Sequence, residues 1–342
     1  MPTACTLVPS PQHAYPGHSE GPERFSGLRD WQARPDAKAL LWLEPRPAGS
    51  AEIRAVHSEG MLRDLAEACK QGPGIIDFAP TYVTPSSFDD ALAAVGGTLA
   101  CSRAVLDGTA RNAFALVRPP GHHAEPDRPM GFCLLNNLAI AAMDALAHGI
   151  QKILIFDFDA HHGNGTQAAF WGEERVAYFS THQEDIYPGS GQLESAPRAR
   201  GRIVNLPLPA RSGDAAFALI ARDALTPLVR QYAPEMIFVS AGFDAHWRDP
   251  LTALGLSTAG FAALSDQLVA LAEETCRGRI VFVLEGGYDS AAIASGVEAA
   301  LEALTGAGSR AAASACASAD PSPYPEPDIR PRLDHLLRLH QL

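Results

Sequence analysis

Short apolar runs alternate with longer amphipathic runs over most of the chain. The short runs are rich in β-branched residues, which predicts buried strands. The predicted strands are Ala113–Val117, Lys152–Asp159, Arg175–Thr181, Arg202–Leu208, Glu235–Ala241 and Arg279–Leu284. The predicted helices are Ser58–Cys69, Phe88–Leu106, Asn137–His148, Thr166–Trp171, Asp214–Tyr232, Ala259–Cys276 and Ser290–Leu304. This alternation predicts a single-domain α/β fold with a mostly parallel β-sheet sandwiched by helices.

The two ends of the chain differ from this pattern. Residues 1–50 are rich in proline, glycine and arginine and are predicted to form loops around the sheet. After Leu304 the composition changes to alanine, serine and proline, which is typical of a flexible linker. Leu333, Leu336 and Leu337 then recur at helical spacing, so this last helix could dock on the body or on a second copy. The predicted parts are one main domain over 1–304, a linker over 305–328 and a short amphipathic helix over 329–342.

Composition and charge exclude several classes of protein. Of the 342 residues, 46% are hydrophobic and 19% are charged, which is enough for a large core. The formal net charge of −12 argues against nucleic acid as a partner. The six cysteines show no CxxC spacing and are interpreted as reduced thiols. Without a secretory leader pattern or a long apolar run, we predict a cytoplasmic protein with no membrane contact. An oligomer is possible but is not predicted.

The run Asp157–Gly165 carries the strongest chemical signal and follows a predicted strand. Side chains alternate along a strand, so Asp159 and His161 project from the same side as the strand ends. They offer a carboxylate oxygen and an imidazole nitrogen to one cation, which suits zinc or ferrous iron. A solvated Asp/His turn is the alternative, but it leaves Asp157 unexplained inside an apolar run.

Polar residues follow four of the predicted strands. They are His122 and His123, Asp159 and His161, Asp244, and Tyr288. Ligands bind beyond the carboxyl ends of parallel strands, so we expect these side chains to converge at one edge of the sheet. Any one of these residues could have a structural role, but the presence of such residues after four different strands indicates a functional site.

The residue types at this edge fit a hydrolytic metal centre. Three ligands with an open position for water are typical of catalytic zinc, and Asp159, His161 and Asp244 would supply them. A neighbouring imidazole, His122 or His123, could take a proton from that water and give one to the leaving amine.

Two further residues would support this chemistry. Tyr288 follows a Gly-Gly pair and could donate a hydrogen bond to the developing oxyanion. Asp157 could orient an imidazole from behind the ligands. The alternatives are that the paired histidines cap a helix and that Tyr288 is a core tyrosine. The other singled-out histidines are interpreted as loop or core residues: His57, His162, His182 and His246.

Several stretches match the motifs of a known family. The matching stretches are Arg118–Ala124 (RPPGHHA), Gly131–Asn137 (GFCLLNN), Asp157–Thr166 (DFDAHHGNGT), Tyr187–Gly191 (YPGSG), Gly242–Pro250 (GFDAHWRDP), Leu284–Tyr288 (LEGGY) and the weaker His18–Arg24 (HSEGPER). In this order they resemble the arginase/deacetylase superfamily, and specifically the zinc-dependent histone deacetylase family in its class II-like and bacterial branch. The resemblance runs from about His18 to Leu304. It implies the arginase/deacetylase fold and removal of acetyl or other acyl groups from acyl-lysine or from small acylated amines such as acetylpolyamines.

The resemblance also implies roles for individual residues. One zinc ion per chain, with ferrous iron as the alternative, would be held by Asp159, His161 and Asp244. The catalytic residues would be His122, His123, Asp157, Asn164 and Tyr288, with His123 as the main general base and acid. The walls of a tunnel for the acyl-lysine stem would be Gly131, Phe132, Tyr187 and Leu251. A structural potassium ion would be held by Asp157, Asp159, His161 and Ser180, together with backbone oxygens.

The tandem histidines have different implied partners. Asp157 matches the carboxylate bonded to His122, and Asn164 matches the partner of His123, where some relatives carry aspartate. A carboxamide cannot raise a histidine pKa as a carboxylate does, so the two imidazoles are expected to titrate unequally. The loop Thr81–Pro85 departs from the family because it lacks the carboxylate with which many relatives hold a substrate backbone.

Two other functions remain as alternatives. An arginase-like binuclear-manganese ureohydrolase needs further carboxylates to bridge two metals, but Gly163 and His246 stand at the corresponding positions. A catalytically silent acyl-amine binding protein would lack at least one catalytic group, and none is missing here.

Overall fold

A parallel sheet forms the centre of the molecule. The computed structural model describes residues 1–28, 31–33, 36–306 and 320–342. The strands within these residues are β1 (Thr3–Val8), β2 (Leu41–Trp42), β3 (Gly74–Ile75), β4 (Tyr82–Val83), β5 (Asn112–Val117), β6 (Ile153–Asp157), β7 (Val176–Gln183), β8 (Ile203–Leu208), β9 (Met236–Ala241) and β10 (Ile280–Leu284). Strands β3 and β4 form a separate antiparallel pair, and the other eight form one sheet in the order β2-β1-β5-β10-β9-β6-β7-β8. All neighbours in this described sheet run parallel, which confirms the predicted fold class.

Helices cover both faces of the sheet. They are α1 (Ser50–Ile53), α2 (Glu59–Gln71), α3 (Ser87–Leu106), α4 (Asn137–Ala147), α5 (Asn164–Ala169), α6 (Asp214–Ile220), α7 (Thr226–Tyr232), α8 (Thr258–Cys276), α9 (Ser290–Thr305) and a C-terminal helix, Arg330–His340. Residues alternate between two cores, as strand geometry requires: in β5, Phe114 and Leu116 join one hydrophobic cluster, and Ala113 and Ala115 join the other. Helices α2, α3 and α4 pack on the second cluster, and α6 to α9 pack on the first. Among the described residues, no helix is long and apolar enough to span a bilayer.

One prediction for the amino-terminal region is wrong. Residues 1–50 were expected to be loops, but Thr3–Val8 forms a strand that pairs along its whole length with β5. Ala4 and Cys5 are fully buried in it. The proline, glycine and arginine content of the surrounding region led to the loop prediction, although the run itself contains the strand-forming residues Thr3, Thr6 and Val8. Its partner in the sheet begins at Asn112, and this distant pairing decides its conformation.

The described part of the carboxy-terminal region packs against the body of the molecule. Of the predicted linker over 305–328, residues 307–319 lie outside the described part of the chain. Residues 320–328 are held against the body, because Asp320 accepts hydrogen bonds from the rings of His246 and Trp247. The C-terminal helix, predicted over 329–342, is Arg330–His340 and docks on the body of the same chain, with Leu333 and Leu336 buried in the core.

Glu326 provides a test of this docking. Its carboxylate accepts hydrogen bonds from the backbone N–H groups of Gly213, Ala215 and Ala216 at the start of α6. Because a carboxylate that caps a helix amino terminus is stabilising, Glu326→Ala should lower the free energy of unfolding by about 1 kcal/mol. Glu326→Gln keeps an acceptor oxygen and should lower the free energy of unfolding by less. Urea unfolding followed by circular dichroism measures both, and equal stability of Glu326→Ala and the wild type would contradict the assignment.

Candidate active site

The four strands that precede the polar clusters are neighbours in the sheet. Their order is β5-β10-β9-β6, at the centre of the eight described strands. Parallel strands end at the same edge, so the residues that follow them meet there. The structure therefore brings together the groups that the sequence separates by more than 160 residues, as the bond from the backbone N–H of Gly121 to the carboxylate of Glu285 shows (2.7 Å, 164 residues apart).

Asp159, His161 and Asp244 form a compact cluster at this edge. His161 Nδ1 lies 3.3 Å from Asp159 Oδ1 and 2.9 Å from Asp244 Oδ2. One potential ligand atom from each residue lies within 4.8 Å of the others, so the three could hold one metal ion. A side chain at Gly286 would place its Cβ only 2.5 Å from Asp159 Oδ2 and from Asp244 Oδ2, so glycine is required for this close approach.

The electrostatics of the cluster fit a cation. Both aspartates are fully buried. Burial and the neighbouring Asp159 raise the pKa of Asp244 to about 6. Although burial opposes protonation of His161, the two carboxylates raise its pKa to about 10. Two buried carboxylates around one imidazole nitrogen leave an excess of negative charge, which a divalent ion would neutralise. The donor set therefore fits the ligands that catalytic zinc takes.

The tandem histidines lie beside this cluster and have different partners. His122 Nδ1 lies 3.2 Å from Asp157 Oδ2, and His123 Nδ1 lies 2.8 Å from Asn164 Oδ1. Burial lowers the pKa of His122, but Asp159 and Asp157 outweigh it and raise that pKa to about 10. Burial and the neighbouring imidazoles hold the pKa of His123 well below its ordinary value. The two pKa values thus move in opposite directions, as expected.

A narrow cavity of about 170 Å³ opens onto these groups. Its lining residues are Ala79, His123, Gly131, Phe132, His161, Tyr187, Leu251 and Tyr288. The four residues predicted to line a tunnel are all among them. Gly131 has a φ of +58°, and a Cβ there would lie 2.5 Å from the ring of His123. Glycine at this position therefore lets the wall of the cavity approach the imidazole.

Tyr288 lines the cavity and is held at its backbone and its ring. Its N–H donates to Asp249 Oδ2 at 2.8 Å, and the guanidinium of Arg24 lies 5.0 Å from the centre of its ring. Burial raises the pKa of Tyr288 well above its ordinary value, so its hydroxyl stays protonated and can donate a hydrogen bond.

Comparison with known proteins decides the family. A family model described as "Histone deacetylase domain" matches residues 18–304. The chain belongs to the histone deacetylase family. A "Probable deacetylase" of Archaeoglobus fulgidus is 42% identical over 279 residues, which cover 80% of this chain and 77% of that protein. A "Histone deacetylase-like amidohydrolase" of Pseudomonas aeruginosa is 36% identical over 296 residues, covering 85% and 77%. A solved structure described as the "HDA15 HD domain" has a TM-score of 0.85 and 28% identity, and the match covers 99% of this chain and 96% of that one.

These matches confirm the resemblance and the arginase/deacetylase fold. The relatives carry the names of deacetylases and amidohydrolases, so this member of the histone deacetylase family is a deacetylase, a hydrolase of amide bonds. The family as a whole is metal-dependent, and the Asp159, His161 and Asp244 cluster is where this deacetylase could hold its ion.

Three residues near the site were not found from the sequence. Arg24 is 2% exposed and donates to the backbone oxygens of Gly287 and Glu285. Asp249 holds the backbone of Tyr288. Glu285 accepts from the N–H groups of Gly121 and of His122. All three lie inside recognised motifs, HSEGPER, GFDAHWRDP and LEGGY, and their ionisable side chains within those motifs were the available signal.

The loop Thr81–Pro85, which lacks a carboxylate of its own, is held by a neighbouring one. The nearby Asp77 accepts from the N–H groups of Ala79 and Thr81, from the Thr81 hydroxyl, and from the N–H of Gly131. Its carboxylate therefore holds the loop next to Gly131, behind the wall of the cavity, and has little capacity left for a ligand.

The remaining predicted residues fall outside the cavity. Ser180 lies opposite Asp157 in the ladder of β6 and β7, and its hydroxyl is 2.8 Å from His182 Nδ1. The potassium site that includes Ser180 stays a prediction. The four histidines interpreted as structural are buried, with ring hydrogen bonds to neighbouring groups: His57, His162, His182 and His246.

Proposed function

We propose that this deacetylase hydrolyses acyl-lysine amides with one divalent metal ion, zinc or else ferrous iron, held by Asp159, His161 and Asp244. A single observation carries the proposal: His123, His161 and Tyr288 line one narrow cavity, so a candidate base, a candidate ligand and an oxyanion donor face the same space. When bound there, the ion would polarise the amide carbonyl and lower the pKa of a water molecule.

The residues around the ion have separable tasks in this mechanism. Neutral His123 takes a proton from the attacking water and later donates it to the leaving amine. Tyr288, protonated because of its raised pKa, donates a hydrogen bond to the oxyanion that develops on the substrate. Asp159 and Asp157 raise the pKa of His122, so a protonated His122 would add a positive charge beside the metal cluster. Asn164 accepts from His123 and orients its ring.

The walls of the cavity favour an extended methylene chain. Phe132 and Tyr187 provide apolar faces, with the Tyr187 ring 5.1 Å from that of His123 and the Phe132 ring 5.9 Å from that of Tyr288. At the rim, Leu251 is 42% exposed. Among the described residues that line the cavity, none carries a carboxylate. A polyamine would bring a second ammonium that needs such a partner, so an acyl-lysine side chain fits this rim better than an acetylpolyamine.

Metal removal tests this function. Dialysis against a chelator should abolish hydrolysis of an acetyl-lysine peptide, because the carbonyl loses its Lewis acid, and added zinc or ferrous ion should restore it. The restored enzyme should contain about one transition metal per chain, as three protein ligands imply. Acetylspermidine, assayed under the same metal condition, should be hydrolysed more slowly than the peptide. Turnover that survives complete metal removal, or two metals per active chain, would overturn the proposal.

A further inference from the structure

Glu125 is a third member of the hydrogen-bonded chain that ends at His123. Asn164 Oδ1 lies 2.8 Å from His123 Nδ1, and Asn164 Nδ2 donates to Glu125 Oε1 at 2.7 Å. Asn164 is 9% exposed and His123 is 4% exposed, so bulk water competes little with these bonds. The carboxamide therefore connects the imidazole to a carboxylate that does not touch the imidazole itself.

The carboxylate decides which way the amide of Asn164 faces. A carboxylate accepts hydrogen bonds and donates none, so the amide must turn its NH2 group towards Glu125. The other contact of Nδ2 is the sulfur of Met130 at 3.3 Å, a weak acceptor that orients an amide poorly. A flipped amide would place two acceptor oxygens 2.7 Å apart. With the NH2 group committed, Oδ1 faces His123 and can only accept.

We propose that Glu125 is a positioning residue that selects the tautomer of His123 through Asn164. An accepting oxygen at Nδ1 requires the neutral ring to carry its proton there, which leaves the lone pair on Nε2 for the cavity. The inference rests on the proposed function for its catalytic consequence, since a general base needs that lone pair. Its structural content, the Nδ1–H tautomer, does not depend on turnover.

Glu125 is itself held in place. Its Oε2 pairs with Arg128 at 2.8 Å, and its backbone N–H donates to the carbonyl of Arg128 at 2.9 Å. The ring of His57 lies 3.0 Å from its carbonyl oxygen. The side chain of Arg128 is 60% exposed and that of Glu125 is 24% exposed, so the ion pair is at the surface while the bond to Asn164 points inward.

Single variants give the first test. Glu125→Ala should lower kcat for an acetyl-lysine peptide by about 10- to 100-fold, the range found when partners of a metal-site histidine are removed, with KM changed little. Glu125→Gln keeps an acceptor oxygen and should lower kcat by less. Arg175→Ala is the matched control: it breaks an exposed ion pair with Glu173 just before β7 begins, at the edge of the sheet opposite the cavity, and should leave kcat unchanged. A Glu125→Ala variant that melts like the wild type and turns over equally fast would overturn the proposal.

Exchanging the acid and the amide gives a sharper test. In Asn164→Asp the two carboxylates would face each other, so kcat should fall. Adding Glu125→Gln restores a donor between them, so the double variant should be faster than Asn164→Asp alone, although Glu125→Gln slows the wild type. Glu125→Gln is thus expected to lower kcat in the wild type and to raise it in Asn164→Asp. This reversal is expected only if the two side chains act through their shared hydrogen bond. Equal effects of Glu125→Gln in both backgrounds would overturn the proposal.

Histidine ¹⁵N chemical shifts separate this inference from the proposed function. With ¹⁵N-labelled histidine, and with the His123 signals assigned by comparison with His123→Gln, the metal-free wild type should show Nδ1 protonated and Nε2 unprotonated. Glu125→Ala should show both tautomers. Unchanged signals in Glu125→Ala would overturn the role of Glu125 even if the enzyme is a deacetylase. The expected shift change in a protein without deacylase activity would support the inference while the proposed function fails.

Discussion

The His123→Ala variant is expected to lose kcat for an acetyl-lysine peptide by about 10²- to 10⁴-fold, the range for loss of a general acid–base group. His123 lines the cavity, and its Nδ1 is occupied by Asn164, so Nε2 is the nitrogen that can exchange a proton with substrate. The metal content should stay near that of the wild type, because Asp159, His161 and Asp244 are untouched.

His148→Ala is the matched control for this variant. The ring of His148 is 55% exposed and bonds only to its own helix turn, at Asp144, in the contacts described. Its replacement should leave kcat unchanged. Steady-state kinetics with metal analysis distinguish the outcomes, and a His123→Ala enzyme within tenfold of the wild type would rule out His123 as the main base.

We expect kcat/KM to fall at acid pH, as His123 becomes protonated. Burial and the imidazoles of His122 and His161 hold the pKa of His123 below its ordinary value of 6.5, so the ring is neutral at neutral pH. A base is lost as pH falls through its pKa, so the acid limb of the wild-type profile should lie below about pH 6.5. An acid limb centred above neutrality would contradict the assignment.

Glu20→Ala is expected to lower the free energy of unfolding by about 3 to 5 kcal/mol, the cost of leaving a buried charge without its partner. Glu20 and Arg118 are both 0% exposed and form two bonds of 2.6 and 2.8 Å. Arg24 and the hydroxyl of Tyr82 also bond to the Glu20 carboxylate. Removal of the carboxylate therefore leaves two buried guanidinium groups with unbalanced charge.

The matched control breaks an exposed pair instead. Arg230→Ala removes the ion pair with Glu274, in which the Arg230 side chain is 59% exposed and the Glu274 side chain is 47% exposed. This change should leave the unfolding free energy nearly unchanged. Urea unfolding at neutral pH measures both variants. Although burial opposes ionisation of Glu20, Arg118 holds its pKa well below the ordinary value, so the stabilising contribution persists above that value and is lost only as pH falls. Equal stability of Glu20→Ala and Arg230→Ala would contradict the interpretation.

The Glu20→Ala substitution should also lower catalytic activity. Arg24 bonds to Glu20 and to the backbone of Gly287, and its guanidinium lies over the ring of Tyr288. A Glu20→Ala protein that still folds should therefore have a lower kcat than its folded fraction explains.

The sequence predicted most strands because their burial leaves a local pattern. The run 153–156 of β6 is apolar on both faces, as a strand covered by helices must be, and the pattern needs no knowledge of its neighbours. The strand Thr3–Val8 was missed because the proline, glycine and arginine content of residues 1–50 favoured a loop prediction, whereas its pairing with β5 is a contact between distant residues. Composition likewise predicted a linker where Asp320 and Glu326 bind the body.

The sequence by itself determined the chemistry at the strand ends: the residue types that follow each apolar run, and hence the family, the sheet and the candidate metal ligands. Only the tertiary structure decided which partners those groups have. Glu20 meets Arg118 across 98 residues, and Glu125 meets Asn164 across 39. The physical reason is one of range: periodicity records whether a position is buried, whereas a hydrogen bond between distant residues exists only after the sheet and its loops have closed around both of them.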